Sequence, residues 1–296
     1  TRISFYGSAD LTKWERLSSL DGLRLDCPDL LELPVDGDPN HRKWVLWASF
    51  FHPFTGRYMI GDFDGTRFTP EAGIHRLDWG RNSFAARTWR DTVDGRTIQI
   101  AFLHGPEGRL PDMPFSQQMG IPCELSLKTF PDGLRLCACP VREVETLRTA
   151  SHLLNDVVVG PNKSQALADI ASGLVDIEAE FELRDAAEFG LRVRGESIAF
   201  NVLDRLIQVR GASGPLEPVD GRIGLRILAD RMSLEVFGNG GRLLMTNYFA
   251  PTPDRREIEV YALQGSVGLI SLKMYELRSA WQDYPILCRP DIMTTQ

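Results

Sequence analysis

Val175-Asp176-Ile177-Glu178-Ala179-Glu180-Phe181-Glu182-Leu183 sets an apolar residue at every second position and a carboxylate at each position between. Successive side chains of a β-strand point to opposite faces, so this stretch makes a strand with one dry and one wet face. The same period returns in Phe189-Gly190-Leu191-Arg192-Val193, Ile223-Gly224-Leu225-Arg226-Ile227, Met232-Ser233-Leu234-Glu235-Val236 and Glu257-Ile258-Glu259-Val260. Half-apolar strands in this number hide their dry faces most economically between two stacked antiparallel sheets. The expectation is a β-sandwich over residues 161–282.

Outward from that core the texture changes. Residues 1–145 read as short strands separated by turns rich in Gly, Asp and Pro, with Ile3–Tyr6, Trp44–Ser49, Tyr58–Asp62 and Thr97–Leu103 as candidate strands. Asp64-Gly65 and Asp94-Gly95 are the turn signals between them. Regular spacing of this kind suits a sandwich, a barrel or a propeller. Val144–Asn155 reads as a short helix or connector that Pro161 ends, which makes 146–160 a linker. Residues 283–296 read as a tail.

The bulk numbers exclude several classes. Thirty-three basic against 40 acidic residues give a net charge of -7 over 296 residues, without the concentrated positive field that nucleic acid or anionic lipid requires. No apolar run approaches the roughly 18 residues that span a bilayer, so the expectation includes neither nucleic-acid nor membrane partners. Cys27, Cys123, Cys137, Cys139 and Cys288 have no zinc-ligand spacing and read as structural thiols. No metal and no organic cofactor is implied, because phosphate loops, His-Glu-x-x-His and Gly-x-Ser-x-Gly are all missing.

Carboxylates and aromatics in the first half remain, a combination suited to sugar chemistry. Cleaving a glycosidic bond takes a protonated acid at the leaving oxygen and a second carboxylate at the anomeric carbon. Two stretches narrow this. Leu25-Asp26-Cys27-Pro28-Asp29-Leu30 resembles the Glu-Cys-Pro-Asp-Leu-Phe segment of glycoside hydrolase family 32, and Leu225–Gly241 resembles the strand pair of that family's C-terminal sandwich. Between them, Asp78-Trp79-Gly80 with Phe84-Ala85-Ala86-Arg87-Thr88 is similar to the family's Asp-aromatic-Gly…Tyr-Ala-Ala-Gln-Thr pocket segment.

The resemblance implies an all-β chain holding the later part of a five-bladed β-propeller, followed by the β-sandwich. It implies retaining hydrolysis of β-fructosyl linkages in sucrose, inulin or levan, with Asp26 as acid/base at the floor of a fructose-sized funnel. Asp29, Asp78, Trp79, Phe84 and Arg87 would bind the sugar. The partner is then a fructose-containing oligo- or polysaccharide, and the location secreted or periplasmic.

Three departures qualify this. The family's Trp-Met-Asn-Asp-Pro-Asn and Arg-Asp-Pro segments, which carry the nucleophile and the transition-state stabiliser, do not occur here. The chain is therefore expected to be a fragment whose opening blades lie elsewhere in the protein, or to be completed by a complementing N-terminal polypeptide that brings them. Asp26 stands where the family has Glu, about 1.5 Å shorter, and a misplacement near 1 Å costs on the order of 10²-fold in rate. The intact Cys-Pro-Asp-Leu context is expected to compensate through the backbone. Phe84 and Arg87 replace the family's Tyr and Gln, which alters hydroxyl binding. The alternatives are a non-catalytic carbohydrate-binding or accessory protein and a fructosyltransferase.

Overall fold

A computed structural model describes residues 2–22, 25–50, 55–105, 116–161, 165–169, 173–249 and 257–280. Cys288 and the tail expected at 283–296 lie outside the described residues. Strands β1 (Arg2–Gly7) and β2 (Glu15–Asp21) form a separate hairpin. Next comes a four-stranded antiparallel unit, β3 (Asp26–Val35), β4 (Asp38–Phe50), β5 (Thr55–Phe63) and β6 (Phe68–Pro70), with β7 (His75–Arg76) also on β5. A second unit holds β8 (Ser83–Trp89), β9 (Ile98–Leu103), β11 (Cys123–Phe130) and β12 (Gly133–Pro140), with β10 (Gln118–Met119) also on β9.

The two units meet at a single parallel pair, Leu127 with Val35. Asp36 reinforces that corner, its carboxylate accepting from the Thr129 amide at 2.9 Å and hydroxyl at 2.6 Å. Four-stranded units joined this way are propeller blades, and among the described residues they form an open array rather than a closed ring.

Downstream, a 3-10 turn (Arg142–Leu147) leads into two six-stranded sheets. The first is ordered β13 (Arg148–Val159), β24 (Val267–Leu277), β15 (Val175–Glu182), β20 (Arg222–Ala229), β21 (Ser233–Gly238), β22 (Leu243–Tyr248). The second runs β14 (Gln165–Asp169), β23 (Glu257–Leu263), β16 (Glu188–Val193), β17 (Glu196–Asn201), β18 (Leu206–Val209), β19 (Ala212–Pro215). Ile177, Phe181, Phe189, Phe200, Ile227 and Val236 fill the space between them. Each such side chain contributes about 1.5–3 kcal/mol on burial.

Two sequence readings need correction. The segment expected as a helix or connector, Val144–Asn155, is from Arg148 onward the twelve-residue edge strand β13, which is paired with β24 and runs through most of the expected linker 146–160. A bulge between Arg148 and Ser151 and the left-handed Asp156 (φ 53°) break its alternation. The apolar residues at 144 and 147 in the turn before it, with those at 154 and 158 in the strand, then imitate a helical period. Ser233 and Glu235, placed on a wet face, are buried, and Asp176, placed likewise, is fully so. Arg148 and Arg226 each donate to its carboxylate, at distances of 2.6–3.0 Å, so the charge is paired rather than solvated.

The propeller strands and the sandwich share a core. Leu228, Phe237, Leu244 and Leu277 pack into one cluster with Leu31, Leu127 and Leu136. Cys123, Cys137 and Cys139 are free thiols near this junction, and burial pushes Cys137 up to about 11. Thiols held protonated in this way are inert packing groups.

Candidate active site

Asp26 pairs with Ser49 and Asp29 with Trp47, so three steps along β3 match two along β4. The surplus is a β-bulge at Cys27-Pro28, and Cys27 takes the left-handed conformation at φ 51°. Pro28 has no amide hydrogen and is tolerated in a strand at such a bulge. β8 repeats the device. Phe84 pairs with Phe102 and Arg87 with Ile100, leaving a bulge at Ala85-Ala86 with Ala85 at φ 52°.

The two bulges face each other across neighbouring blades. The Ala85 amide donates to Ser49 Oγ at 3.0 Å, and Ser49 is the strand partner of Asp26. Thr88 donates its amide (3.0 Å) and hydroxyl (2.6 Å) to Asp29 Oδ2. Arg87 Nη1 donates to the Pro28 carbonyl at 2.5 Å, and Arg90 Nη1 to that of Leu30 at 2.8 Å. The backbone of β8 pairs with β9, whereas side chains make these links to β3. Asp26, Asp29, Phe84 and Arg87 thereby come together at one end of the two blades.

Asp26 itself is exposed. Two cavities, of about 290 and 700 Å³, lie against the sandwich sheet that carries Glu180 and Gly224, and neither touches Asp26. The fructose-sized funnel expected around this residue coincides with neither of these cavities.

Asp78 and Trp79 lie elsewhere. Asp78 is only 1% exposed and sits in the seam between the blades and the sandwich, bridged to Leu244 of β22. Its Oδ1 accepts from the Gly80 amide at 2.8 Å and the Thr246 amide at 3.0 Å. The Trp79 amide donates to the Leu244 carbonyl at 2.7 Å, and its ring packs on the sandwich core beneath the Arg76 guanidinium. A Cβ at Gly80 would fall 2.1 Å from the Thr246 carbonyl oxygen, so only glycine allows this approach. Asp-Trp-Gly in this chain docks the blades on the sandwich, with its acid buried in the junction.

Glu235 is the second acid of the seam. It accepts from the Ile121 amide at 2.9 Å, and burial pushes its carboxyl up to about 8. Burial also raises Asp78, against the opposing pull of the Thr246 and Gly80 amides.

Sequence reasoning passed over Ser49, Thr88 and Arg90. Pro28 inside a strand run was the available sign of a bulge. No feature of a single sequence indicates that β8 would lie beside β3.

An array of propeller blades docked on a two-sheet sandwich, with acids shown at facing bulges, defines the architectural class. Within it, the chain belongs to glycosyl hydrolase family 32: residues 1–140 match that family's N-terminal domain and residues 143–276 its C-terminal domain. It is 33% identical to a levanase of Bacillus subtilis over 99% of its own length and 50% of that enzyme's. Identity to an extracellular exo-inulinase of Aspergillus awamori is 23%, covering 95% of the chain and 60% of the relative. The crystal structure of an exo-inulinase from A. awamori superimposes with a TM-score of 0.83 at 21% identity, over 95% of this chain and 63% of that one. Fructan 1-exohydrolase IIa from Cichorium intybus gives 0.79 at 20% identity, over 94% and 67%. The chain therefore spans about half to two thirds of the length of these relatives.

Proposed function

We propose that this chain carries the acid/base half of a retaining β-fructosidase acting on sucrose, inulin or levan. Neutral Asp26 gives its proton to the leaving oxygen as the bond to the anomeric carbon breaks, while a carboxylate from outside this chain bonds that carbon. Ionised Asp26 next takes a proton from water, whose oxygen displaces the enzyme carboxylate and releases fructose. The second carboxylate, and the rest of the funnel wall, come from an N-terminal portion, whether joined to this chain or a separate complementing polypeptide.

One observation carries the reading: the acid stands on a bulge, facing a matching bulge of the next blade. Bulges re-aim side chains beside active sites, and a local change of backbone course is what an acid one methylene short requires. Asp29 and Arg87 flank it on the two strands, and Phe84 adds an apolar face for the sugar ring. The test is fructose release by the full encoded protein and by its Asp26→Asn variant. A loss of 10³-fold or more is expected on the order of general-acid effects, and unchanged turnover would remove Asp26 from the mechanism.

A second reading, sugar binding without turnover, is favoured by the exposure of Asp26. Calorimetric titration with levan or inulin oligosaccharides separates the two, since heat of binding with no fructose released supports only the second. A product other than free fructose would indicate transfer to another sugar.

A further inference from the structure

We infer that Arg87 is a positioning residue for the acid at position 26, acting through the Pro28 carbonyl rather than by binding sugar. The inference rests on the acid/base reading of Asp26 and deepens it.

Cys27 is a non-glycine residue in left-handed backbone, a conformation that holds only when neighbours enforce it. Pro28 follows it and brings no amide hydrogen to the ladder, so this corner lacks a backbone anchor on that side. The guanidinium of Arg87 supplies the constraint from the neighbouring blade, with Nη1 at 2.5 Å from the Pro28 oxygen. That oxygen is two residues from the carboxyl it would steady, and Arg87 closes the bulge of β8 as Asp29 closes that of β3. Thr88 holds Asp29 from the next position, and Arg90 holds Leu30 beyond it. Two side chains of β8 and Arg90 just past its end thus grip three successive residues of β3, and the Arg87 grip is the one nearest Asp26.

An ammonium at position 87 would be a point charge without the planar fork of Arg, so Lys should restore the contact only in part. Arg90 is the internal control. It makes the same kind of bond from an equally exposed position, but to a carbonyl on the far side of Asp29.

The experiment measures kcat and KM for fructose release from sucrose by the full encoded protein and its Arg87→Ala, Arg87→Lys and Arg90→Ala variants. For Arg87→Ala, kcat should fall about 10- to 100-fold, the scale of a misplacement near 1 Å, while KM moves less than about 3-fold. Arg87→Lys should recover part of kcat, and Arg90→Ala should keep it. A loss confined to KM would make Arg87 a sugar ligand and overturn the inference. So would wild-type kcat in Arg87→Ala, or an equal fall in Arg90→Ala, which would signify general blade docking. If Arg87→Ala does not fold, the kcat of Arg87→Lys decides by the same criteria. Asp26→Asn is run alongside: full turnover there defeats the acid/base reading itself. An inactive Asp26→Asn beside a fully active Arg87→Ala defeats only the positioning role.

Discussion

Four carboxyls occupy two contrasting places in this molecule. Asp26 and Asp29 stand at the facing bulges, the first exposed and the second half-buried. Asp78 and Glu235 stand in the seam between blades and sandwich, 1% and 2% exposed. In the seam, burial raises both acids, and backbone amides from the opposite side of the junction hold them. At the bulges a side chain aims the backbone, and the acid is left accessible. The difference teaches that an acid in a family motif is open to a ligand only where solvent reaches it, and that the same residue type under a sandwich becomes a docking group.

The most direct way to break the seam is at Gly80. In Gly80→Ala the new Cβ would lie 2.1 Å from the Thr246 oxygen and 2.4 Å from its nitrogen, both backbone atoms that cannot rotate away. Forcing them apart should cost about 3 kcal/mol or more, read as a lower midpoint in urea. A variant with wild-type stability would mean that residues 78–82 do not lie along β22 in solution.

Glu235→Gln sharpens the contrast through pH. The folded-state value of Glu235 is raised from 4.5 to about 8, so between those limits the folded protein holds a proton that the unfolded chain releases. Stability is therefore greatest below about 4.5 as far as this group is concerned. It falls as pH rises, and the full loss, up to about 5 kcal/mol, is reached above about 8. Gln does not titrate, so the variant should lose less stability between pH 5 and 9 than the wild type. Parallel curves for the two proteins would show that Glu235 is not buried as a neutral acid.

How much of this could be read from the residues themselves differs between the two places. The sandwich was legible because its strands alternate strictly, and Ile177, Ala179 and Phe181 do point inward. Edge strand β13 was not, since a bulge and one left-handed residue shift its register until the apolar spacing looks helical. The motif around Asp26 was visible, and so was the Phe84–Thr88 segment that the structure brings beside it. The burial of Asp78 was not legible, because Asp-Trp-Gly reads alike whether it lines a pocket or docks on a sheet. Only the approach of β22, whose Thr246 lies 168 residues further on, distinguishes the two.

Asp78→Ala compared with Asp29→Ala tests the contrast at single acids. Truncating Asp78 leaves the Gly80 and Thr246 amides without their acceptor in the dry seam, at a cost of about 2 kcal/mol. Truncating Asp29 frees the amide and hydroxyl of Thr88 where water can replace the carboxylate, so the cost should be nearer 1 kcal/mol. Equal losses in denaturant titrations would erase the distinction between the two environments.

The smallest effect lies in the bulges. Ala85 and Cys27 hold φ near 50°, a region that disfavours any residue with a Cβ by roughly 1–2 kcal/mol. Glycine removes that penalty but loses more backbone entropy on folding, by about 0.5–1 kcal/mol. The balance predicts that Ala85→Gly raises stability by less than about 1 kcal/mol, visible as a small upward shift in melting temperature. Cys27→Gly should gain as much and keep the bulge that carries Asp26, because the ladder on either side and the Arg87 grip are untouched. If both glycine variants were instead destabilised, the left-handed corners would not be the native conformation, and the facing bulges that set the exposed acids apart from the buried ones would have to be redrawn.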